Sequence, residues 1–315
     1  MDIRELWMAR LEGKLTLKHW LWIWLISARL FAVPWVFGYT FFGALLAGVR
    51  DWLSAVGAAV TATCFLLAAH FINNYRDVEL GIDRYVDDLE EASRIISSLK
   101  PYTAAAWLVP LRITSIEFQR INAMVMIALG TLSYLYLVKP TVFNVIPFVL
   151  GVLMAVTYTD WMKAKRLGEV SAFLGHGFST VTLGYLSQSN DVLTAFLAGI
   201  PTGLISALAY SVDQFIDIKT DFVERVRSIY ESWFNSRMPL GLYVLIIVVF
   251  YFNVLLAWIV AEIYPRGTLL ALSIIPIVLY RAPALEWNRE EALRDLALTI
   301  TWLLPTLMCL GTLIK

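Results

Sequence analysis

The sequence has little of what disulfide-rich domains, nucleic-acid-binding proteins and ordinary soluble enzymes depend on. It has only two cysteines and three histidines in 315 residues, and 25 Lys and Arg exactly offset by 25 Asp and Glu. The two cysteines lie in apolar runs, which excludes a disulfide framework and a cysteine metal site. A zero net charge gives no basic field for nucleic acid. Charged residues make up 16% of the chain, against about 25% in soluble proteins.

Apolar residues are present in excess and in long runs. They form 59% of the chain, and the mean hydropathy is +0.69. A membrane-spanning helix needs roughly 20 mostly apolar residues. The sequence therefore predicts an all-α polytopic membrane protein, with one domain over residues 1–315 and nine transmembrane helices. The predicted helices cover 21–48, 53–73, 118–138, 141–160, 169–187, 193–212, 239–261, 267–284 and 293–313.

Lys and Arg are distributed unequally between the predicted loops. They are frequent before the first span and in the loops that join even-numbered spans to the next odd-numbered span. The opposite face carries only Arg50, Lys139, Arg266 and Lys315. Because cytoplasmic loops are enriched in Lys and Arg, we expect the N-terminus and the long loops 74–117 and 213–238 to face the cytoplasm, in a protein of the cytoplasmic membrane.

Each of these long loops opens with a cluster of acidic residues. The first reads HFINNYRDVELGID and the second reads YSVDQFIDIKTD, and each follows an apolar span. Asp77 and Asp217 are 140 residues apart, as two weak pseudo-repeats over roughly 21–160 and 169–313 would place them. Asp213, Asp217 and Asp221 have the i, i+4, i+8 spacing of one helix face.

The first cluster has a related pattern. Asn73 and Asp77 are spaced i, i+4, and Asp83 follows Gly81, a residue type that often ends a helix. Several carboxylates that meet at a bilayer surface need a positive partner. Oxygen ligands of this kind suit Mg²⁺, which binds through one or two carboxylates and substrate phosphates. In so apolar a chain this predicts a lipid diphosphate substrate. Solvated loop acids or helix caps are the alternative, but the matched spacing of two clusters favours a site.

The two clusters and two further segments resemble the UbiA superfamily of intramembrane prenyltransferases, nearest to its menaquinone branch of 1,4-dihydroxy-2-naphthoate prenyltransferases. NNYRDVELGID is similar to the family's motif after the second helix, and DQFIDIKTD to its Asp-rich motif after the sixth. YTDWMKAKRLGEVSAFLGHGFSTVTLGYLSQ resembles a third motif, and Arg29 with Pro34 and Gly38 a fourth. The chain differs at Asn74, where the family has Asp. It also differs at Asp213, Gln214 and Ile216, where the branch usually has Asn, Asn and Arg.

The resemblance implies transfer of a prenyl group from a polyprenyl diphosphate to an aromatic quinone precursor, through an allylic carbocation. It implies Mg²⁺ held directly or through the diphosphate, and cationic side chains around the leaving group. The implied metal set is Asn73, Asp77, Asp83, Asp213, Asp217 and Asp221. The implied catalytic residues are Lys163, Tyr158 and Arg29, with further diphosphate contacts from Arg76, Arg84, Lys165 and Arg166, and Glu169 as the group that orients the acceptor.

Other interpretations of these residues stay open at this point. Arg29 could extend to the membrane surface, Lys163 could serve topology alone, Tyr158 could be an interfacial aromatic, and Glu169 could favour a helix N-terminus. Two other functions are also possible. One is an ether-lipid prenyltransferase that acts on geranylgeranylglyceryl phosphate. The other is an ion-coupled transporter, although transport sites usually lie near the bilayer midplane. The expected partners are a prenyl diphosphate, an aromatic or lipid-soluble acceptor and membrane lipids, with no nucleic acid.

Overall fold

The computed structural model describes residues 3–99, 104–163, 165, 167–217, 240–286, 296 and 299–314. All regular secondary structure in these ranges is helical, as the composition predicts. The first half of the chain contains α1 (Ile3–Leu11), α2 (Leu17–Ser27), a 3₁₀ turn (Leu30–Ala32), α3 (Val33–Leu46), α4 (Trp52–Glu79), α5 (Leu89–Ser98), α6 (Ala104–Trp107), α7 (Ile116–Ser133) and α8 (Val145–Thr157). π-Helical stretches extend α7 over Tyr134–Val138 and α8 over Tyr158–Lys163.

The second half has shorter and more irregular helices. Helix α9 (Gly168–Ser171) continues through a π-helical stretch (Ala172–Phe178) into α10 (Ser179–Leu186), and α11 spans Val192–Asp217. Then follow α12 (Leu240–Val260), a 3₁₀ helix (Arg266–Ile274) with α13 (Ile275–Arg281), a 3₁₀ turn (Pro283–Glu286), a π-helical turn (Thr299–Leu303) and α14 (Leu304–Leu313).

Helix occurs within every predicted apolar run, but not every helix is long enough to cross a bilayer. In the described part of the chain, four helical segments have the length and apolarity of a membrane span, and a bent pair would make a fifth. The four are Trp52–Glu79, Ile116–Val138, Val145–Lys163 and Val192–Tyr210. These segments make the chain an integral membrane protein, while the total of nine spans stays a prediction.

The first predicted span is not one continuous helix. Helix α2 ends at Ser27, and the path from Leu17–Ser27 to Leu30–Leu46 bends by 47°. Arg29 lies in the break with a left-handed φ of 49°. Pro34 lies in the first turn of α3, a position that suits proline. A helix that continued from α2 would bring the proline ring against the carbonyl of the residue four positions earlier, Leu30. The apolar run 21–48 therefore folds as two helices with Arg29 at their junction.

The two long loops begin later than the apolar runs predict. Helix α4 continues through Glu79, and α11 continues through Asp217, so the first residues of both acidic clusters are helical. Helix α4 packs against α3, α7 and α8. Its start is fixed by Asp51, whose carboxylate accepts hydrogen bonds from the backbone amides of Leu53 and Ser54. This central helix carries Asn73 and Asp77 at its other end.

Gln188, from the third sequence motif, joins two turns at the start of α4. Its Oε1 accepts hydrogen bonds from the backbone amides of Arg50 and Asp51, both at 2.9 Å, and its Nε2 donates to the Asp51 carbonyl at 3.0 Å. These hydrogen bonds connect the turn before α4 to the turn after α10. Because Asp77 lies at the opposite end of α4, Gln188 stabilises the fold away from the acidic clusters.

The predicted orientation can be tested by cysteine labelling. In a background with Cys64→Ala and Cys309→Ala, Arg84→Cys and Arg225→Cys should both react with a membrane-impermeant thiol reagent applied from the cytoplasmic side. The Arg84 side chain is 60% exposed, and Arg225 lies outside the described residues. Lys139→Cys is the control for the other side. Labelling of positions 84 and 225 from opposite sides would contradict a shared site.

Candidate active site at the end of α4

Two pairs of polar side chains join the last turns of α4 to the π-helical stretch Tyr158–Lys163. The Thr159 hydroxyl donates to the Asn73 Oδ1 at 3.2 Å, and the Lys163 ammonium donates to the Asp77 Oδ2 at 3.1 Å. Asn73 and Asp77 are four residues apart on α4, and Thr159 and Lys163 are four residues apart on the π-helical stretch. The two contacts therefore lie about one helical turn apart along the same interface. The sequence motifs single out three of these positions as site residues. Thr159 was not one of them, although its spacing from Lys163 matches that of Asn73 from Asp77.

The contact between Lys163 and Asp77 is a buried ion pair, and the Asp77 carboxylate can accept a further hydrogen bond or metal ion. The Lys163 and Asp77 side chains are 5% and 7% exposed. The second carboxylate oxygen of Asp77, Oδ1, is buried and has no hydrogen-bond partner among the described residues. Burying a charged pair is costly unless its remaining hydrogen-bonding capacity is satisfied. The Asp77 Oδ1, which has no partner among the described residues, and the Asn73 amide oxygen one turn earlier on α4 are oxygen donors of the kind that suits a hard cation such as Mg²⁺.

The second acidic cluster cannot be placed around this pair from the described residues. Asp213 and Asp217 belong to the last turns of α11, but their side chains are outside the description, and Asp221 and Arg166 lie outside the described residues altogether. Within the part of the chain that the structure describes, no three His, Cys, Asp or Glu side chains form a metal-binding group. The shared metal centre therefore stays a prediction.

The chain folds back toward the last turns of α4 after the helix ends at Glu79. Gly81 has a left-handed φ of 69°, a conformation that costs glycine little. The backbone amides of Ile82 and Asp83 then both donate to the Asp77 carbonyl, at 2.8 and 3.0 Å. The backbone of Asp83 is thereby held against the turn that carries Asp77.

A pair of tyrosines connects the same π-helical stretch to α11. The Tyr158 hydroxyl donates to the Tyr210 hydroxyl at 2.9 Å, and the two rings are perpendicular with centroids 6.0 Å apart. Tyr210 precedes Asp213 by three residues on α11. The contact therefore links the segment that holds Lys163 to the helix that leads into the second acidic cluster. Sequence reasoning did not identify Tyr210.

Gly168 is the residue against which the Tyr210 ring packs. A Cβ atom at Gly168 would lie 2.3 Å from the Tyr210 hydroxyl oxygen, so only glycine leaves room for the ring. Its neighbour Glu169 is in the first turn of α9 and is 5% exposed. The Leu167-Gly168-Glu169 motif thus places a small residue against the Tyr210 ring and a buried acid one residue further along α9.

The other predicted cations have partners at the surface. Arg76 pairs with Asp160 and Glu79, both at 2.5 Å, and Arg84 pairs with Glu91 at 2.7 Å. The Lys165 ammonium lies 4.7 Å from the centre of the Trp161 ring. Each of the three would have to exchange its present partner to bind a diphosphate.

Asn74, where the family has Asp, ties together three helices. Its Nδ2 donates to the Ser27 carbonyl at 3.0 Å and to the Gln119 Oε1 at 3.3 Å, and the Gln119 Nε2 donates to the Ser27 hydroxyl at 2.9 Å. A carboxylate at position 74 could not donate these bonds. Asparagine at position 74, where the motif it resembles has Asp, therefore has a structural reason. Its side-chain amide donates the hydrogen bonds that connect α4 to α2 and α7.

An apolar cavity of about 240 Å³ lies between α3, α4, α11, α12 and α13. Its wall includes Arg29, His70, His176 and Tyr210, and apolar side chains such as Leu66, Val244, Ile247 and Leu304 form most of the remainder. The Nε of Arg29 is buried without a partner among the described residues. The helix break at Arg29 thus places a guanidinium group at a cavity suited to a hydrocarbon chain.

Comparison with known proteins supports the fold. No protein-family model matches the chain, and a search of curated proteins also finds no match. Two solved chains resemble it in structure. One of them, from a study of digeranylgeranylglyceryl phosphate synthase in membranes, aligns with a TM-score of 0.57 and 16% identity over 93% of this chain and 98% of that chain. The chain therefore shares its fold with this solved structure.

Proposed function

We propose that this protein is a Mg²⁺-dependent intramembrane prenyltransferase that transfers a prenyl group from a polyprenyl diphosphate to a hydroxylated acceptor. One observation carries the proposal. Asp77 is a buried carboxylate with one oxygen paired to Lys163 and the other without a partner among the described residues, and it lies on the helix that also lines an apolar cavity. That combination suits a substrate with an anionic head and a long apolar chain. The motif resemblance and the shared fold support the same reaction.

The residues present can hold the donor from two sides. Asp77 and Asn73 offer oxygen ligands for Mg²⁺, with Asp213, Asp217, Asp221 and Asp83 completing the set in this proposal. When bound, the metal supplies Lewis-acid stabilisation of the negative charge on the departing diphosphate. In this proposal the cavity receives the reacting end of the prenyl chain next to the acceptor, and its apolar wall keeps water from the allylic cation.

Lys163 and its neighbours act on the leaving group. The ammonium, now on Asp77, can turn to the diphosphate oxygens that the metal leaves uncovered. It stabilises charge that grows as the C–O bond breaks. The Tyr158 hydroxyl can donate to the same oxygens. The Arg29 guanidinium adds a positive charge where the site opens into the cavity. Glu169 orients the acceptor or accepts its proton. If Arg76, Arg84 and Lys165 exchange their present partners, they serve as outer diphosphate contacts, and Arg166, which lies outside the described residues, is proposed for the same role.

Two acceptors remain, each with its own support. The motif pattern favours an aromatic quinone precursor. The similar solved structure is described as a digeranylgeranylglyceryl phosphate synthase, which favours a glyceryl phosphate alcohol. The transporter alternative is disfavoured because Asp77 lies at a helix end instead of a broken helix near the midplane.

Removal of the metal tests the proposed chemistry. With a labelled prenyl diphosphate, a chelator should abolish diphosphate release and product formation, and added Mg²⁺ should restore both. The acceptor is then identified by offering 1,4-dihydroxy-2-naphthoate, 4-hydroxybenzoate and geranylgeranylglyceryl phosphate separately. Full turnover in the presence of chelator would show that the metal role is wrong.

A further inference from the structure

The apolar cavity has a polar patch that the donor chain does not explain. Ser206 on α11 lines the cavity, is 3% exposed, and its hydroxyl oxygen has no hydrogen-bond partner among the described residues. A buried polar group without a partner costs free energy and needs an explanation. A hydrocarbon chain would leave this hydroxyl unsatisfied, so a ligand with a polar group explains it better.

His70 fixes what kind of polar group fits. Its Nδ1 lies 2.9 Å from the Ala28 carbonyl oxygen. Because a carbonyl can only accept, Nδ1 carries the proton and Nε2 is left as a hydrogen-bond acceptor. His70 lines the cavity together with His176 from the π-helical stretch Ala172–Phe178. The wall therefore offers an acceptor nitrogen and a serine hydroxyl, which together match a ligand hydroxyl that both donates and accepts.

The charge of the wall limits the ligand further. Arg29 is the one permanently charged side chain among the described residues that line the cavity. A phosphate monoester carries about −1.5 to −2 charges at pH 7 and would be poorly balanced there. Trp35, Tyr210 and Tyr251 also line the cavity, and aromatic rings pack well against an aromatic body.

The patch also lies in the right place relative to Asp77. His70 precedes Asp77 by seven residues on α4, which is about 10.5 Å along the helix axis. His70 therefore lies on the cavity side of the carboxylate. In the proposed reaction, the reacting carbon of the donor would lie between the two.

We infer that His70, His176 and Ser206 form the acceptor subsite, which binds the hydroxyl group of a compact aromatic acceptor. The role of this ligand as the prenyl acceptor rests on the proposed function. The binding of an aromatic hydroxyl at this place does not. A ligand hydroxyl that donates to the His70 Nε2 is held in one orientation. In this orientation the aromatic ring of the acceptor faces the reacting carbon of the donor. Specificity then comes from these uncharged groups and not from the metal site.

Binding of a pair of matched probes tests the subsite without any turnover. In lipid nanodiscs, with binding to empty nanodiscs subtracted, 1-naphthol should bind about 3- to 10-fold more tightly than 1-methoxynaphthalene, as one net hydrogen bond predicts. His70→Phe should lower that preference toward 1, because only the hydroxyl of 1-naphthol can donate to the His70 Nε2. Ser206→Ala removes a donor from which both probe oxygens can accept, and should weaken the binding of both probes about equally. Ser179→Ala is the matched control. Ser179 is also 3% exposed, but its hydroxyl bonds to the Gly175 carbonyl of its own helical segment.

Kinetics separate this inference from the proposed function. Ser206→Ala should raise the KM for the acceptor about 3- to 10-fold and leave the KM for the donor unchanged. A wild-type protein without preference for 1-naphthol would overturn the subsite, and so would variants that change only the KM for the donor. A clear hydroxyl preference without any prenylated product would support the subsite and refute the proposed function.

Discussion

Replacing Asp77 with asparagine is expected to lower the rate of prenyl transfer at least about 100-fold. The change keeps the shape of the side chain but removes the charge that would hold the proposed Mg²⁺. The buried Lys163 ammonium also loses its partner, which lies 3.1 Å away. Loss of one member of a buried ion pair costs about 3–5 kcal/mol, so the thermal midpoint should fall as well. Steady-state turnover and thermal unfolding measure the two effects.

A double variant separates catalysis from stability. Asp77→Asn with Lys163→Met removes both buried charges, so most of the lost stability should return while turnover stays low. Recovery of near-wild-type turnover in the double variant would show that Asp77 is only a structural counter-ion. Asp217→Ala extends the test to the second cluster, where the account also predicts an inactive but folded protein.

Lys163→Met is expected to slow the chemical step by roughly 10²–10³-fold, the usual loss for one preorganised donor to a developing negative charge. Methionine keeps the apolar stem and removes the ammonium. Because the ammonium now binds Asp77, its removal should also lower the Mg²⁺ concentration needed for half-maximal activity. Single-turnover rates and a Mg²⁺ titration measure both effects.

Lys165→Met is the matched control for this prediction. Lys165 lies two residues further along and contacts the Trp161 ring, not Asp77. Its replacement should leave the single-turnover rate within a few-fold of wild type. Equal and small losses in the two variants would assign Lys163 to membrane topology only and remove it from the catalytic mechanism.

The sequence predicts the helical class and the first acidic segment well because both depend on short-range patterns. Apolar run length locates the helices, and the spacing of Asn73 and Asp77 places both on one helix face, where the structure has them. The break at Arg29 was missed because hydropathy does not register a change of direction within an apolar run. Pro34 was the available signal for it.

Contacts between distant segments could not be obtained from the sequence in the same way. The Lys163–Asp77 pair joins residues 86 positions apart, and the motif resemblance gave both residues without giving their contact. Tyr210 and the cavity groups His70, His176 and Ser206 depend on how five helices pack. In a chain this rich in apolar and aromatic residues, nothing in the sequence distinguishes the lining of a cavity from the rest of the core.

One measurement tests the central claim most directly. The purified protein in lipid nanodiscs is incubated with Mg²⁺, a labelled geranylgeranyl diphosphate and each acceptor in turn, and the products are identified by mass. The account predicts a prenylated acceptor formed in a one-to-one ratio with released diphosphate, with both absent in Asp77→Asn. Intact donor and no prenylated product with every acceptor would contradict it.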